Sequence, residues 1–241
     1  MPFQKKLRIG LVVPPQNAAA EPEFGELVRA AANSHVMRFP FLPELDLAGR
    51  LRRYNDVLPE TLAGFGEMRL NAAVVACTGS HYLLGPAADR SFCGELGDRY
   101  GMPVASAAIA ILETCQDLGL EEITLVSPYQ PWLTEHSVAY WEAAGIAVRD
   151  VVKVRAGERF SPYDVGTAEL VAQVRSAGLA RATPLLFTGT GMFTLAALDE
   201  LRADGFGPML TSNICSARWA LGAATAEPSA TSALTRLVGA P

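Results

Sequence analysis

The chain has 241 residues, half of them hydrophobic and 19% charged, with a formal net charge of −5. That composition supports a substantial core, in one large domain or two small ones. With no cluster of Lys or Arg beyond Lys5, Lys6 and Arg8, it argues against a nucleic-acid partner, and no apolar run reaches the roughly 18 residues of a membrane helix.

The opening segment has the basic, apolar and small residues of a signal peptide. Its apolar run at 9–13 is shorter than the roughly 7–15 residues expected, however, and Pro14 and Pro15 end it. It reads instead as a first core strand at 8–13, and a cytoplasmic protein is expected. Further strands are predicted at 35–39, 72–76, 104–106, 123–126, 147–154, 184–187 and 209–211. Helical periodicity falls between them, at 23–33, 60–70, 87–100, 107–118, 133–144, 167–177, 194–204 and 215–221. Short apolar runs alternating with amphipathic segments predict an α/β protein, and runs such as AAVVA suit parallel strands buried on both faces.

The two halves echo each other. LRIGLVVPP is matched by EITLVSPY, and AAVVACTGS by ATPLLFTGTGM. The expected fold is therefore α/β with two pseudo-symmetric lobes, each a short parallel sheet flanked by helices. The division is an N-terminal lobe at 1–115 and a C-terminal lobe at 116–214, with the last helix, 215–235, open to assignment to the first lobe. Ligands of open parallel sheets sit beyond the carboxyl ends of strands. The loops 14–17, 77–81, 127–130 and 188–191 are expected to meet at one cleft between the lobes.

Chemistry concentrates in those loops. Cys77 leaves an apolar strand and is followed at once by Thr78, Gly79 and Ser80. Hydroxyls and turn N–H groups of this kind can hold a carboxylate or an enolate oxygen. A thiol beside them can act on carbon as nucleophile or proton donor. The plainer alternative is a small buried hydrophobe, the commonest fate of a free cysteine. His81, four residues on, is a candidate base for that thiol. Cys93 and Cys115 lie in helical patterns and read as core, and Cys215 opens the last helix. The four cysteines and the three histidines, His35, His81 and His136, lack metal-ligand spacing, so neither a metal nor a disulfide is expected. Gly189-Thr190-Gly191 lacks both the Walker lysine and the G-x-G-x-x-G spacing of a phosphate loop. Tyr129 places a phenol at another strand exit.

Taken together, VVPPQN followed by Glu21, ACTGSHYLLG, LVSPY and LLFTGTGMFTL resemble the maleate isomerase and arylmalonate decarboxylase branch of the aspartate/glutamate racemase superfamily, over roughly residues 8–222. The resemblance implies the two-lobed fold, no cofactor and no metal, and a homo-oligomer as is common in the superfamily. It implies a catalytic Cys77, the first-lobe cysteine that serves isomerases as nucleophile. Asn17 matches a carboxylate-binding asparagine of the isomerases, Tyr129 a tyrosine that holds substrate oxygens, and Pro14 with Pro15 a decarboxylase feature. The family's second-lobe cysteine corresponds to Gly189, and the isomerases' further carboxylate-binding asparagine has no counterpart in the diverged segment 157–164.

Three readings follow. The first is a cofactor-independent isomerase of a small unsaturated dicarboxylate, maleate isomerase-like, with Cys77 adding to the double bond. Its substrate contacts would be Pro14, Asn17, Thr78, Gly79, Ser80, Tyr129, Gly189 and Thr190. The second is a decarboxylase of substituted malonates with Cys77 as proton donor. The third is a non-catalytic binding protein that kept the cleft. A racemase needs an acid–base group on each face of the carbon, which Gly189 disfavours.

Overall fold

In the computed structural model, residues 6–225 and 229–239 are described. Lys5 of the opening basic group, and part of the 215–235 segment, lie outside them. The first lobe is built from β1 (Leu7–Val13), α1 (Ala20–Val28), β2 (Ala32–Arg38), α2 (Leu47–Ala63), β3 (Ala72–Val75), α3 (Thr78–Tyr82), α4 (Pro86–Tyr100), β4 (Val104–Ser106) and α5 (Ala107–Asp117). The second follows with β5 (Glu122–Ser127), α6 (Pro131–Ala143), β6 (Ala147–Lys153), α7 (Thr167–Ser176), β7 (Leu185–Phe187), α8 (Leu195–Ala203) and β8 (Met209–Thr211). Two helices, α9 (Ser212–Ala224) and α10 (Ser229–Val238), close the chain.

Each lobe holds a four-stranded, wholly parallel sheet, and the orders β2-β1-β3-β4 and β6-β5-β7-β8 are the same topology repeated. In each, the chain reverses direction across the sheet between its two central strands. Those strands, β1 and β3 in one lobe and β5 and β7 in the other, carry the loops singled out by the sequence. A topological switch point opens a crevice at the carboxyl ends of such strands.

Burial explains the elements. Ile9, Leu11, Val12, Val74 and Val75 are wholly buried, as are Leu125, Val126 and Leu185–Phe187 in the second lobe, so neither sheet face can be polar. The last helices return to the first sheet, where Ala217, Ala220, Leu221 and Leu234 join the cluster around Ile9, Leu11 and Phe24. In the other direction Tyr82 of α3 packs its ring into the second-lobe core, against Tyr140 and Trp141 at centroid distances of 5.2 and 5.7 Å.

Two predicted helices need correction. The helix expected at 23–33 ends by Val28, because Ala32 already pairs with Leu7 in the sheet. The one expected at 60–70 is displaced: α2 spans Leu47–Ala63, and the chain turns at 64–67. Leu47, Leu51, Tyr54 and Leu58 mark its periodic face, Asp46 caps it by accepting from the Gly49 N–H at 2.7 Å, and Pro59 sits inside it. Helix α3 was not predicted, and the single last helix expected at 215–235 corresponds to two, α9 and α10.

Candidate active site

One cavity of about 280 Å³ opens where the four loops meet. Pro14, Asn17, Cys77, Thr78, Gly79, Tyr129 and Thr190 line it as the sequence led one to expect. Ser80 and Gly189 do not line it. Ser80 lies one helical turn below the thiol and donates to the Cys77 carbonyl at 3.1 Å. Gly189 lies behind Tyr129, where a Cβ would stand 3.0 Å from the phenol oxygen, and its neighbour Gly191 takes the place on the wall.

Cys77 is the N-cap residue of the short α3, 5% exposed, and the one thiol on the cavity wall among the described residues. Burial pushes its pKa up, while hydrogen bonds from the Ser80 side chain and backbone N–H pull it back without offsetting the burial. The resting thiol is therefore protonated at neutral pH. His81 does not serve it as base: it is fully buried, off the cavity wall, with Nδ1 at 2.7 Å from Asp89 Oδ1.

Asp89 is the hub of a buried network. It accepts from Ser106 Oγ at 2.7 Å and from Tyr140 Oη at 2.8 Å, with Cys93 Sγ at 3.5 Å. His81, Asp89 and Cys93 are thus the metal-ligand type side chains that lie together among the described residues; His81 Nδ1 and Cys93 Sγ are engaged with Asp89, while His81 Nε2 is buried without a partner. Cys115 and Cys215 are buried in helices, with pKa values pushed by burial to about 12.

Hydroxyls dominate the polar wall. Tyr129 Oη and Thr78 Oγ1 are 2.7 Å apart, and Tyr82 Oη behind them reaches Thr188 Oγ1 at 2.6 Å, across the lobes. Burial is also the leading cause that pushes the phenol pKa of Tyr129 well up, so it stays a neutral donor. Asn17 Oδ1 accepts from the N–H groups of Ala19 and Ala20 at the start of α1, and its Nδ2 donates to Thr190 Oγ1 at 2.9 Å. The loop bearing Asn17 is held from outside by Arg38, which donates to the carbonyls of Pro14 and Asn17 and pairs with Glu21 at 2.6 Å.

The loop after β7 is pinned by a residue the sequence reading passed over. Glu23, 5% exposed, accepts from the Thr194 and Leu195 N–H groups at the start of α8, from Thr194 Oγ1 at 3.0 Å and from Asn213 Nδ2 at 2.8 Å. A buried carboxylate is tolerated there because several donors satisfy it.

Two further walls were also missed. Leu47, Arg50, Leu51 and Tyr54 of α2 face the cavity at i, i+3, i+4 and i+7 spacing. From the second lobe the segment 160–163 covers it with Phe160, Ser161, Pro162 and Tyr163. Tyr163 fits only because residue 191 is glycine: a Cβ there would stand 2.6 Å from its ring. Leu51 and Leu133 close on Gly79 in the same way, at 3.3 to 3.4 Å from a built Cβ.

The maleate isomerase of Nocardia farcinica is 26% identical, over 85% of each chain. That of Alcaligenes faecalis is also 26% identical, over 71% of this chain and 72% of its own. Among solved structures, the Nocardia farcinica maleate cis-trans isomerase, as a cysteine-to-serine mutant with a covalently bound succinylcysteine intermediate, superposes with a TM-score of 0.81. It shares 23% identity and covers 97% of this chain and 98% of its own. The family model for arylmalonate decarboxylase matches residues 9–238, and the chain belongs to that family.

Proposed function

We propose that this protein is a cofactor-independent isomerase of an unsaturated dicarboxylate, with Cys77 as nucleophile. The observation that carries this reading is the Cys77 thiol on the wall of a cavity whose adjacent polar groups, Thr78 and Tyr129, are neutral donors. The succinylcysteine in a structurally similar maleate isomerase supports the same chemistry. As sulfur bonds to one alkene carbon the S–H bond of the resting thiol breaks and its proton passes to a carboxylate oxygen of the substrate, while the π pair moves to the other carbon and into the carboxylate attached to it. The former double bond then turns as a single bond. When the pair returns, the C–S bond breaks, the proton goes back to sulfur, and the product is released with the opposite geometry. No electron is gained or lost overall. Thr78 and Tyr129, with Asn17 and Thr190 beside them, would stabilise the charge as it reaches the carboxylate. Gly189 supplies no acid on the far face, and this route does not require one.

A second reading rests on the apolar part of the wall. Leu47, Leu51, Leu133 and Phe160 would suit the substituent of a disubstituted malonate. Loss of CO2 would leave an enediolate at the same donors, and a thiol kept protonated by burial could protonate it from one face. Four unpaired cysteines fit a reducing, cytoplasmic setting for either reaction.

Proton NMR separates the two. Purified protein is incubated with maleate and, separately, with 2-methyl-2-phenylmalonate, beside Cys77→Ala. A fumarate signal that disappears in the variant is the expected result; 2-phenylpropionate of one hand would favour the decarboxylase. Equal fumarate formation by wild type and Cys77→Ala would overturn the nucleophile assignment.

A further inference from the structure

Arg50 is the one formally charged residue on the cavity wall among the described residues. It stands on the same face of α2 as Leu47, Leu51 and Tyr54, half-buried, and among the described residues no carboxylate lies within ion-pairing distance of it. The neighbouring acids are engaged elsewhere: Asp46 caps the helix, and Asp56 pairs with Arg53 at 3.5 Å. Burial pushes the phenols of Tyr54 and Tyr163 up, and Arg50 is the group that pulls both back. Those phenols also feel the Cys77 sulfur, so the guanidinium charge belongs to the same space as the thiol.

A guanidinium that lines a cavity without an ion-pair partner is free to take a carboxylate or phosphate from a ligand. Here the partner position opens into the cavity. The hydroxyl pair Thr78 and Tyr129 already provides for one carboxylate next to the reacting carbon, and neither of them carries charge.

We infer that Arg50 recognises a second carboxylate of the substrate, remote from the one at Thr78 and Tyr129, and so selects dianions over monoanions. This deepens the functional proposal and rests on its placing of the first carboxylate. The guanidinium fork suits a carboxylate in two-pronged contact. The segment 157–164 has no carboxylate-binding asparagine matching that of the isomerases, and Arg50 would supply from the first lobe what that segment lacks. Leu51, Leu133 and Phe160 would then leave space for an apolar substituent on the carbon skeleton.

The test reads anion preference at Cys77 itself, independently of turnover. Cys77 is alkylated with iodoacetate and with iodoacetamide, reagents of similar size of which only the first is an anion, and the modified peptide is quantified. Loss of thiolate slows both reagents alike, so the rate ratio isolates the charge effect. In Arg50→Gln the iodoacetate-to-iodoacetamide ratio should fall by roughly tenfold, the effect of losing one charge-assisted contact, and Arg50→Lys should keep part of it. In the wild type the ratio should fall as salt is raised. Maleate should protect Cys77 better than maleamate, its isostere with one carboxylate replaced by an amide, and Arg50→Gln should erase that difference. An unchanged ratio in Arg50→Gln, or a wild-type ratio indifferent to salt, would overturn the assignment. Charge discrimination without turnover of any diacid would leave Arg50 in its role and sink the isomerase proposal; turnover without discrimination would do the reverse.

Discussion

Asn17 and Thr190 join the two lobes directly: the Asn17 amide donates to Thr190 Oγ1 at 2.9 Å, and the Thr190 hydroxyl in turn donates to the Ala76 carbonyl at 2.7 Å. Both side chains are almost wholly buried, at 1% and 4% exposure. The chain of bonds runs from the loop after β1, through the loop after β7, to the residue before Cys77. It therefore ties the two sides of the cleft together at the residue next to Cys77.

Replacing Thr190 by Val keeps the shape and removes the hydroxyl. The Asn17 N–H group and the Ala76 carbonyl then lose a shared partner, at a cost of roughly 1–3 kcal/mol for a buried group left unsatisfied. Thr190→Ser restores the hydroxyl and gives up one methyl, worth about 0.8 kcal/mol. Urea unfolding should rank wild type above Ser and Ser above Val. A Val variant as stable as the Ser variant would mean that the inter-lobe chain contributes little.

The visible and the hidden parts of this site divide by how each residue announces itself in a sequence. Cys77, Thr78 and Tyr129 stand at the ends of apolar runs, where parallel strands must empty into loops, so their position in a cleft followed from the β/α alternation. Thr190 and Asn17 followed by the echo between halves and by resemblance. The wall from α2 has the right spacing at Leu47, Arg50, Leu51 and Tyr54. It was masked by Pro59, which suggests a helix boundary, and by the mixed charges of LRRYND. The tertiary contacts of Tyr54, stacked on Phe39 at 4.5 Å, override that local signal. Phe160 and Tyr163 lie in a segment with no periodicity, and only the space left by Gly191 explains why Tyr163 reaches the cavity. Glu23 and Asp89 looked like ordinary helix-surface acids, because their partners come from residues up to the far end of the chain.

Asp89 makes a pH-dependent prediction. Burial by itself would raise its pKa, but the charge of His81 and the hydrogen bonds from His81, Ser106 and Tyr140 outweigh it and hold the carboxyl below its ordinary value. A carboxylate whose pKa is lower folded than unfolded stabilises the fold at every pH above the unfolded value, about 3.9. That contribution disappears as pH falls from near 5 through the folded pKa. Asp89→Asn should cost roughly 3–5 kcal/mol at pH 7, the scale for breaking one side of a buried pair. Between pH 5 and pH 3 the wild type should lose stability faster than the variant, so the gap narrows. Denaturant midpoints at pH 7, 5 and 3.5 test this, and parallel acid limbs would contradict it.

Gly189 raises the question of whether a second catalytic thiol could be put back where the resemblance places one. Its φ of +93° lies where side chains are strained, and the cost for a residue other than glycine is of order 1–3 kcal/mol. Space is short as well, since a Cβ would stand 3.0 Å from Tyr129 Oη, 3.3 Å from its Cζ and 3.4 Å from Pro128 Cγ. Tyr129 cannot yield without loosening its 2.7 Å contact with Thr78, and that contact shapes the proposed carboxylate site. Gly189→Cys should therefore lose stability, and it should lose turnover at Cys77 by about as much as Gly189→Ala does, with no two-thiol racemase activity gained. The comparison with Ala is decisive, because strain and crowding are common to both variants while the thiol is not. If Gly189→Cys matched wild type in thermal midpoint and exchanged the α-proton of a chiral acid on both faces, the backbone at 189 would be far more adaptable than its packing against Tyr129 implies.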